Sequence, residues 1–178
     1  QASLRRWILK GMGLWSGWCV PWAAILHVFC GHADTAEVLL EMWEKTFTNE
    51  GHGTLHDPNS PGLTLIGSQP LGKPNRLREL MQLDAGMDAT AAIMEMLLHT
   101  RQGVNYLFAG APERWHEVSF SGMRTEGAFL LSARREAGRV TWLEVKAEKD
   151  GVCRIANPWG EGVLELQMKA GETRRLAG

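Results

Sequence analysis

The carboxylate of greatest chemical interest is Asp84, which stands directly before the small-residue pair Ala85 and Gly86. An almost wholly apolar run, residues 89–98, follows and predicts a helix that is buried on every face. A carboxylate at the entrance to a buried helix can act as a general base, or hold a water, if burial and a hydrogen-bonded partner set its pKa. It can equally cap the helix, although Asp88 is better placed for that because it directly precedes the apolar run.

Other polar residues have simpler structural explanations. Glu95 lies inside the apolar run, and a buried glutamate needs a partner, so we expect it to pair with an arginine or a backbone donor. His52 and His56 lie in a long loop, where histidines are most often solvated but can also contact a ligand. The chain has three cysteines without a CxxC pair, and no predicted helix carries an HxxxH pair or a converging set of carboxylates, so the sequence supports neither a metal site nor a disulfide framework.

Tryptophan is abundant, with eight residues in the chain. Aromatic faces pack against sugar rings, and carbohydrate sites are often lined this way. Trp18 and Trp22 are therefore candidate sugar-binding residues. The alternative is that Trp18, Trp22 and Trp43 pack in a core, because they occur at helical spacing.

A helical hairpin is predicted for the first part of the chain. Residues 20–29 indicate a buried helix with Pro21 in its first turn and Gly31 as its stop. Asp34 is predicted to cap a second helix, with Glu37 completing a capping box. The apolar stripe of this second helix comprises Ala36, Leu39, Leu40, Trp43 and Phe47. Such hairpins are the units of helical barrels and solenoids.

The second part of the chain changes pattern. Residues 48–76 are rich in Gly and Pro without periodicity, which predicts a long, functional loop, and residues 77–83 return to helix or turn. After residue 100, short strand-like runs alternate with Gly-containing turns. The predicted strands are residues 104–108, 115–120, 128–135, 139–147, 152–156, 163–168 and 173–176. Trp115 and Arg124 invite interpretation as a surface binding pair, but packing of Trp115 under the sheet is the better expectation.

The fold class is therefore α+β, with helices in residues 1–102 and an antiparallel, β-sandwich-like domain in residues 103–178. A net charge of −1 over 178 residues gives no support for a nucleic-acid partner. No apolar run reaches the length of a membrane span. The chain opens without Met and directly into a helix-like segment, so we expect it to be a piece of a longer protein, and its cellular location stays open.

An ordered set of motifs resembles one enzyme family. Residues 17–22, GWCVPW, and residues 31–40 resemble the GWSxAW and GDxxxAxxLL segments of glycoside hydrolase family 95. Residues 82–98 are similar to that family's QIDGNFGGTAAIxEMLL, with the same spacing from Asp84 to Thr90. The later matches are residues 106–115 to HLLPALPxxW, residues 122–129 to GLRARGGF, and residues 153–154 to GxCR.

The resemblance implies a fold and a reaction. The family contains inverting α-L-fucosidases with an (α/α)6 barrel and a C-terminal β domain, so residues 1–102 correspond to the last barrel helices. By position Asp84 matches the base-side carboxylate, while the general acid and the water-binding asparagines fall upstream of Gln1. The expected partners are a carbohydrate substrate and the rest of the barrel, without a cofactor. His56 is the nearest candidate for the family's substrate-site histidine, and Trp18 and Trp22 are its candidate sugar-binding residues.

The chain departs from the family pattern next to Asp84. Residues 85–89, AGMDA, replace GNFGG, so Gly86 stands where the family has asparagine and Asp88 adds a second carboxylate. The HPPF run before the aspartate is absent. These changes leave two alternatives to a fucosidase. One is a non-catalytic glycan-binding or scaffold module derived from such an enzyme, and the other is a different (α/α)6 hydrolase or phosphorylase.

Overall fold

The computed structural model describes residues 2–59, 63–64 and 80–178, and in these residues the chain has the predicted α+β composition. The helices are α1 (Ala2–Leu9), α2 (Cys19–Phe29), α3 (Ala33–Phe47) and α4 (Leu83–Leu97). The strands are β1 (Leu98–Arg101), β2 (Val104–Leu107), β3 (Val118–Thr125), β4 (Phe129–Glu136), β5 (Arg139–Ala147), β6 (Gly151–Ala156), β7 (Val163–Met168) and β8 (Thr173–Ala177). The chain divides into two compact units, Gln1–Ile93 and Met94–Gly178.

The predicted stop of α2 at Gly31 is confirmed. Gly31 has a φ of 78°, a conformation that costs glycine little. The N–H of His32 donates to the carbonyl of His27 at 2.9 Å, and the N–H of Gly31 donates to the carbonyl of Val28 at 3.0 Å. These two bonds form a Schellman motif, which satisfies carbonyls that the end of the helix leaves free.

The start of α3 differs from the prediction. The N-cap is His32, not Asp34, and no side chain caps the helix. Only residues 30–32 separate α2 from α3, so the chain enters the helix at once and Asp34 falls in its first turn. At that position its negative charge still interacts favourably with the helix dipole. Ala36 and Phe47 of the apolar stripe are fully buried, and Glu37 is buried too.

Helix α4 begins six residues earlier than predicted, at Leu83 instead of residue 89. Ala85 and Gly86 are therefore helical and do not form a turn. Gly86 fits because a Cβ there would lie 2.9 Å from Cγ2 of Thr54. The expectation of burial on every face is also wrong. One face of small residues is buried, whereas these large apolar residues of α4 are exposed: Leu83, Met87, Ile93 and Met94.

The predicted loop contains structure at both described ends. Thr48 pairs with Thr54 and Leu55 pairs with Met81 as isolated antiparallel bridges. A segment that looks structureless in composition thus joins distant parts of the chain. Residues 60–62 and 65–79 of the predicted loop and turn lie outside the described residues.

The second unit contains two four-stranded sheets, ordered β1-β2-β6-β7 and β3-β4-β5-β8. All strand pairs are antiparallel except β2 with β6, which is parallel, so the prediction of a wholly antiparallel domain is wrong at that pair. Strand β1 begins at Leu98, the last residue of the predicted helix, and was not predicted as a strand. It extends because its residues pair with β2, Leu98 opposite Leu107 and Arg101 opposite Val104.

The predicted hairpin turn between β4 and β5 is confirmed. Ala137 and Gly138 both have positive φ, 46° and 77°, as a type I′ turn requires. Trp115 is not in a strand, since β3 begins at Val118, but it packs against the core as expected. The buried core draws on both sheets: Leu98, Phe108, Ala111, Phe120, Phe129, Leu131, Ala133, Leu143, Val145, Ala147, Cys153, Ile155 and Met168.

A buried polar residue, Asn105, stabilises the parallel pairing of β2 and β6. Its side-chain amide donates to the carbonyl of Arg154 at 3.0 Å, and its oxygen accepts from Oγ1 of Thr100 at 2.7 Å. Asn105 lies opposite Ile155 in the ladder. Because buried polar groups are costly when unpaired, this network also fixes the register of the two strands.

Candidate active site

A cavity of about 430 Å³ brings two predicted site residues together. It lies in the first unit, and residues from two separate segments of the chain line it. The described lining comprises His56, Leu80, Met81, Gln82, Leu83 and Asp84. His56, the nearest candidate for a substrate-site histidine, and Asp84, the candidate reactive carboxylate, therefore share one concave surface.

Backbone pairing positions the two segments. The N–H of His56 donates to the carbonyl of Leu80 at 2.7 Å, and the N–H of Gln82 donates to the carbonyl of Thr54 at 2.8 Å. Oγ1 of Thr54 donates to the carbonyl of Gln82 at 2.6 Å. These bonds fix the chain immediately before Asp84 against the chain around His56.

A third segment, immediately before α2, also hydrogen-bonds to these two segments. The N–H of Gly17 donates to the carbonyl of His56 at 3.0 Å, and the N–H of Trp18 donates to Oε1 of Gln82 at 3.0 Å. A Cβ on Gly17 would overlap the carbonyl oxygen of Leu55. Glycine at position 17 is therefore required by close backbone approach.

His56 has a carboxylate partner next to it in the sequence. Its Nδ1 lies 2.6 Å from Oδ1 of Asp57. Asp57 is buried, whereas the side chain of His56 is 40% exposed. The contact therefore places a buried carboxylate behind a partly exposed imidazole.

Asp84 is the second residue of α4 and is exposed. Its carboxylate lies in the first turn, where the helix dipole stabilises negative charge. No described residue hydrogen-bonds to this carboxylate, so it is open to solvent or ligand. The prediction that Asp84 lies at a buried entrance to the helix is therefore wrong.

Asp88 does not cap α4 because it lies within the helix, four residues after Asp84. Burial raises the pKa of Asp88, and the negative charge of Asp84 raises it further. The prediction that capping falls to Asp88 is therefore wrong. The two carboxylates instead interact as like charges one helical turn apart.

The two candidate tryptophans lie at the start of α2. Trp18 is its N-cap and is half-buried, while Trp22 is one turn later and exposed. Residues four apart share a helix face, so both rings lie on one side of α2. Neither is among the described residues that line the cavity, although the backbone of Trp18 bonds to Gln82 of the lining.

Glu95 belongs to the second unit, and its predicted arginine partner does not occur among the described residues. Burial raises the pKa of Glu95, whereas the neighbouring His99 lowers it. Its Oε2 is buried without a hydrogen-bond partner in the described chain. The ring of His99 stacks on Tyr106 with the centroids 5.4 Å apart, and its Nδ1 lies 3.1 Å from the carbonyl oxygen of Glu95.

The remaining candidates are not among the described residues that line the cavity. His52 is exposed in a tight turn with a φ of 58°. Arg124 forms an ion pair with Glu148. Across the described residues, no group of three or more His, Cys, Asp or Glu side chains is arranged to hold a metal ion. The only histidine pair in contact there is His27 with His32, whose Nδ1 atoms lie 3.2 Å apart.

Sequence reasoning gave no role to three residues that build the cavity: Gly17, Asp57 and Gln82. For Asp57 the available signal was its position directly after His56 in a loop. Gly17 and Gln82 stood out only as members of the family-like segments 17–22 and 82–98, since a backbone contact between segments far apart in the chain leaves no local pattern.

Searches against protein-family models and curated proteins find no match to this chain. In the described part of the chain, no helix combines the length and apolar character needed to cross a bilayer. The functional conclusion therefore depends on the residues of the site.

Proposed function

We propose that the chain is part of a glycoside hydrolase resembling family 95, with Asp84 on the base side of the reaction and His56 binding the sugar. The observation that carries this proposal is the shared cavity of His56 and Asp84. The two residues are distant in sequence, and three segments hydrogen-bond to one another to hold them in place. Their open side chains offer a carboxylate and an imidazole to a ligand.

In this reaction Asp84 accepts a proton from the water that attacks the anomeric carbon. An inverting glycosidase needs a second carboxyl group about 6.5–9.5 Å away to protonate the leaving oxygen, which leaves room for that water. The described lining of the cavity offers Asp84 as its carboxylate. The general acid is then supplied by a part of the enzyme outside these residues.

The architecture proposed for the whole enzyme is an (α/α)6 barrel followed by a β-sandwich-like domain. The α2–α3 hairpin supports the barrel, because such hairpins are its repeating unit. Exposed apolar side chains in the helical unit also support it, since further helices would cover them. The most exposed of these described side chains are Leu9, Leu14, Met81, Leu83 and Met87.

The direct test is a glycoside screen of the whole protein, with the anomeric configuration of the released sugar followed by ¹H NMR. We expect hydrolysis of an α-L-fucoside or a related glycoside, with the inverted anomer appearing first. Each substrate is assayed with and without inorganic phosphate, because dependence on phosphate would indicate a phosphorylase. Release with retained configuration would contradict the assigned role of Asp84.

One observation favours a non-catalytic relative that binds glycans. Gly86 stands where the family's pattern has asparagine, and Asp84 makes no hydrogen bond to a described residue. A carboxylate without partners lacks the groups that usually tune a catalytic base. This alternative predicts sugar binding without turnover, and binding unaffected by Asp84→Asn.

A further inference from the structure

Asp57 and His56 are in direct contact, and the proposed reaction gives Asp57 no role. Oδ1 of Asp57 lies 2.6 Å from Nδ1 of His56. The carboxylate is buried, although charged side chains are rarely buried without a purpose that offsets the cost of desolvation. Its position behind an exposed imidazole suggests that the purpose is to act on that ring.

The backbone around the pair is fixed on both sides. His56 donates its N–H to Leu80 at 2.7 Å and accepts the N–H of Gly17 at 3.0 Å. Leu55, the residue before it, donates to the carbonyl of Phe47 at 2.7 Å. The imidazole therefore projects from a main chain that three other segments hold, and its ring orientation depends on Asp57.

The chemistry of the contact determines where the ring hydrogen lies. An ionised carboxylate only accepts hydrogen bonds, so Nδ1 must carry the hydrogen in this contact. In the neutral ring, Nε2 then has the free lone pair and is an acceptor. No described residue bonds to Nε2.

We propose that Asp57 is a positioning residue, which holds His56 in the Nδ1–H tautomer so that Nε2 accepts a hydrogen from a ligand hydroxyl group. Together with Asp84, the described cavity then offers two acceptors to a ligand. A neutral polyol with neighbouring hydroxyl groups fits this arrangement, whereas the negative charge of Asp84 would repel an anionic sugar. The ligand assignment rests on the proposed function, but the tautomer does not.

The tautomer can be measured directly in the whole protein labelled with ¹⁵N-histidine. Long-range ¹H–¹⁵N spectra at a pH where the rings are neutral distinguish the two tautomers, and His56→Gln assigns the His56 signal among the six histidines. We expect His56 as the Nδ1–H form in the wild type, and a shift toward the Nε2–H form in Asp57→Ala. The control is Glu50→Ala, which removes an exposed carboxylate from the same loop and should change nothing.

An Nε2–H tautomer in the wild type would overturn the inference, even if Asp57→Ala did not fold. So would an Nδ1–H tautomer that persists in folded Asp57→Ala. Once the screen has identified a glycoside that is hydrolysed, Asp57→Ala and His56→Gln should each raise KM about tenfold, which is the effect of losing about one hydrogen bond. The double variant should have the same KM as either single variant. Absence of hydrolysis with the Nδ1–H tautomer intact would contradict the proposed function alone.

Discussion

The carboxylates of Asp84 and Asp88 lie one helical turn apart on α4, where burial and, second, the charge of Asp84 raise the pKa of Asp88. Asp84 lines the cavity, whereas Asp88 is not in its described lining. The chain thus provides its own matched pair for experiments. The two aspartates are four residues apart on one helix, and only Asp84 is in the described lining of the proposed site.

The raised pKa of Asp88 predicts that Asp88→Asn stabilises the fold by an amount that depends on pH. The folded state binds this proton more tightly than the unfolded state, so ionisation of Asp88 destabilises the fold. That cost is absent below the ordinary pKa of an aspartate and is complete once the pH exceeds the raised pKa. Asp88→Asn should therefore raise the free energy of unfolding at neutral pH by a few tenths of a kcal/mol, as for like charges one turn apart, and not in acid.

Urea denaturation between pH 3 and pH 8 measures this difference. The control is Asp34→Asn, because Asp34 lies in the first turn of α3, where its charge favours the helix dipole. That variant should gain no stability at neutral pH. A stabilisation by Asp88→Asn that is the same at pH 3 and pH 8 would show that charge is not the cause.

Gly17→Ala should destabilise the fold because the added Cβ would overlap the carbonyl oxygen of Leu55. The backbone must shift, and overpacking of this kind costs about 1–3 kcal/mol. Gly13→Ala is the matched control, since nothing lies within 4 Å of a Cβ at that position. Thermal and urea unfolding of both variants test the contact, and equal effects would mean that Gly17 is not held against Leu55.

The Thr100–Asn105 hydrogen bond should appear as a coupling energy. Asn105 is buried and bonds to both Thr100 and Arg154, so Asn105→Ala should cost about 1–3 kcal/mol. Thr100→Val should cost less in the Asn105→Ala background than in the wild type. A double-mutant cycle from urea unfolding measures this, and strictly additive costs would contradict the 2.7 Å contact.

Cys153 should resist thiol reagents while the protein is folded. Burial raises the pKa of its thiol to about 11, although the hydrogen bond from Asn105 lowers it. Because the thiolate is the reactive form, Cys30, which is only half-buried, should react first. Mass spectrometry after timed alkylation at pH 8 identifies the modified residue, and rapid labelling of Cys153 before Cys30 would contradict its burial.

Local sequence signals predicted the parts of the fold that local chemistry determines. Gly31 and the Ala137–Gly138 turn adopt positive φ. The C-terminal end of α2 and the start of β5 follow from them. The runs that form β5 and β7 were predicted with their observed bounds, because turn residues flank them on both sides.

The errors arise where contacts between distant segments decide the structure. Leu98 was predicted as the last residue of an apolar helix, but it begins strand β1 because β2 is available to pair with it. α4 begins at Leu83, and its first turns pack near Thr54, a residue far away in the sequence: a Cβ at Gly86 would lie 2.9 Å from Cγ2 of Thr54. The pairing of Leu55 with Met81, which builds the cavity, has no signature in either segment.

The candidate site was predictable in its chemistry but not in its construction. Asp84 and His56 could be proposed from residue type and context, and the structure brings both to one cavity. The support from Asp57 and Gln82 depends on hydrogen bonds that only the folded chain defines.

The most direct test of the proposed reaction compares Asp84→Asn with Asp88→Asn in the whole protein, using the best glycoside from the screen. Asp84→Asn should lower kcat/KM by about 10²- to 10⁴-fold, the usual contribution of a general base. Its circular dichroism spectrum should be unchanged because the side chain is exposed. Asp88→Asn should stay within about tenfold of the wild type. A loss below about tenfold for Asp84→Asn, or an equal loss for both variants, would contradict the assignment of Asp84 to the reaction.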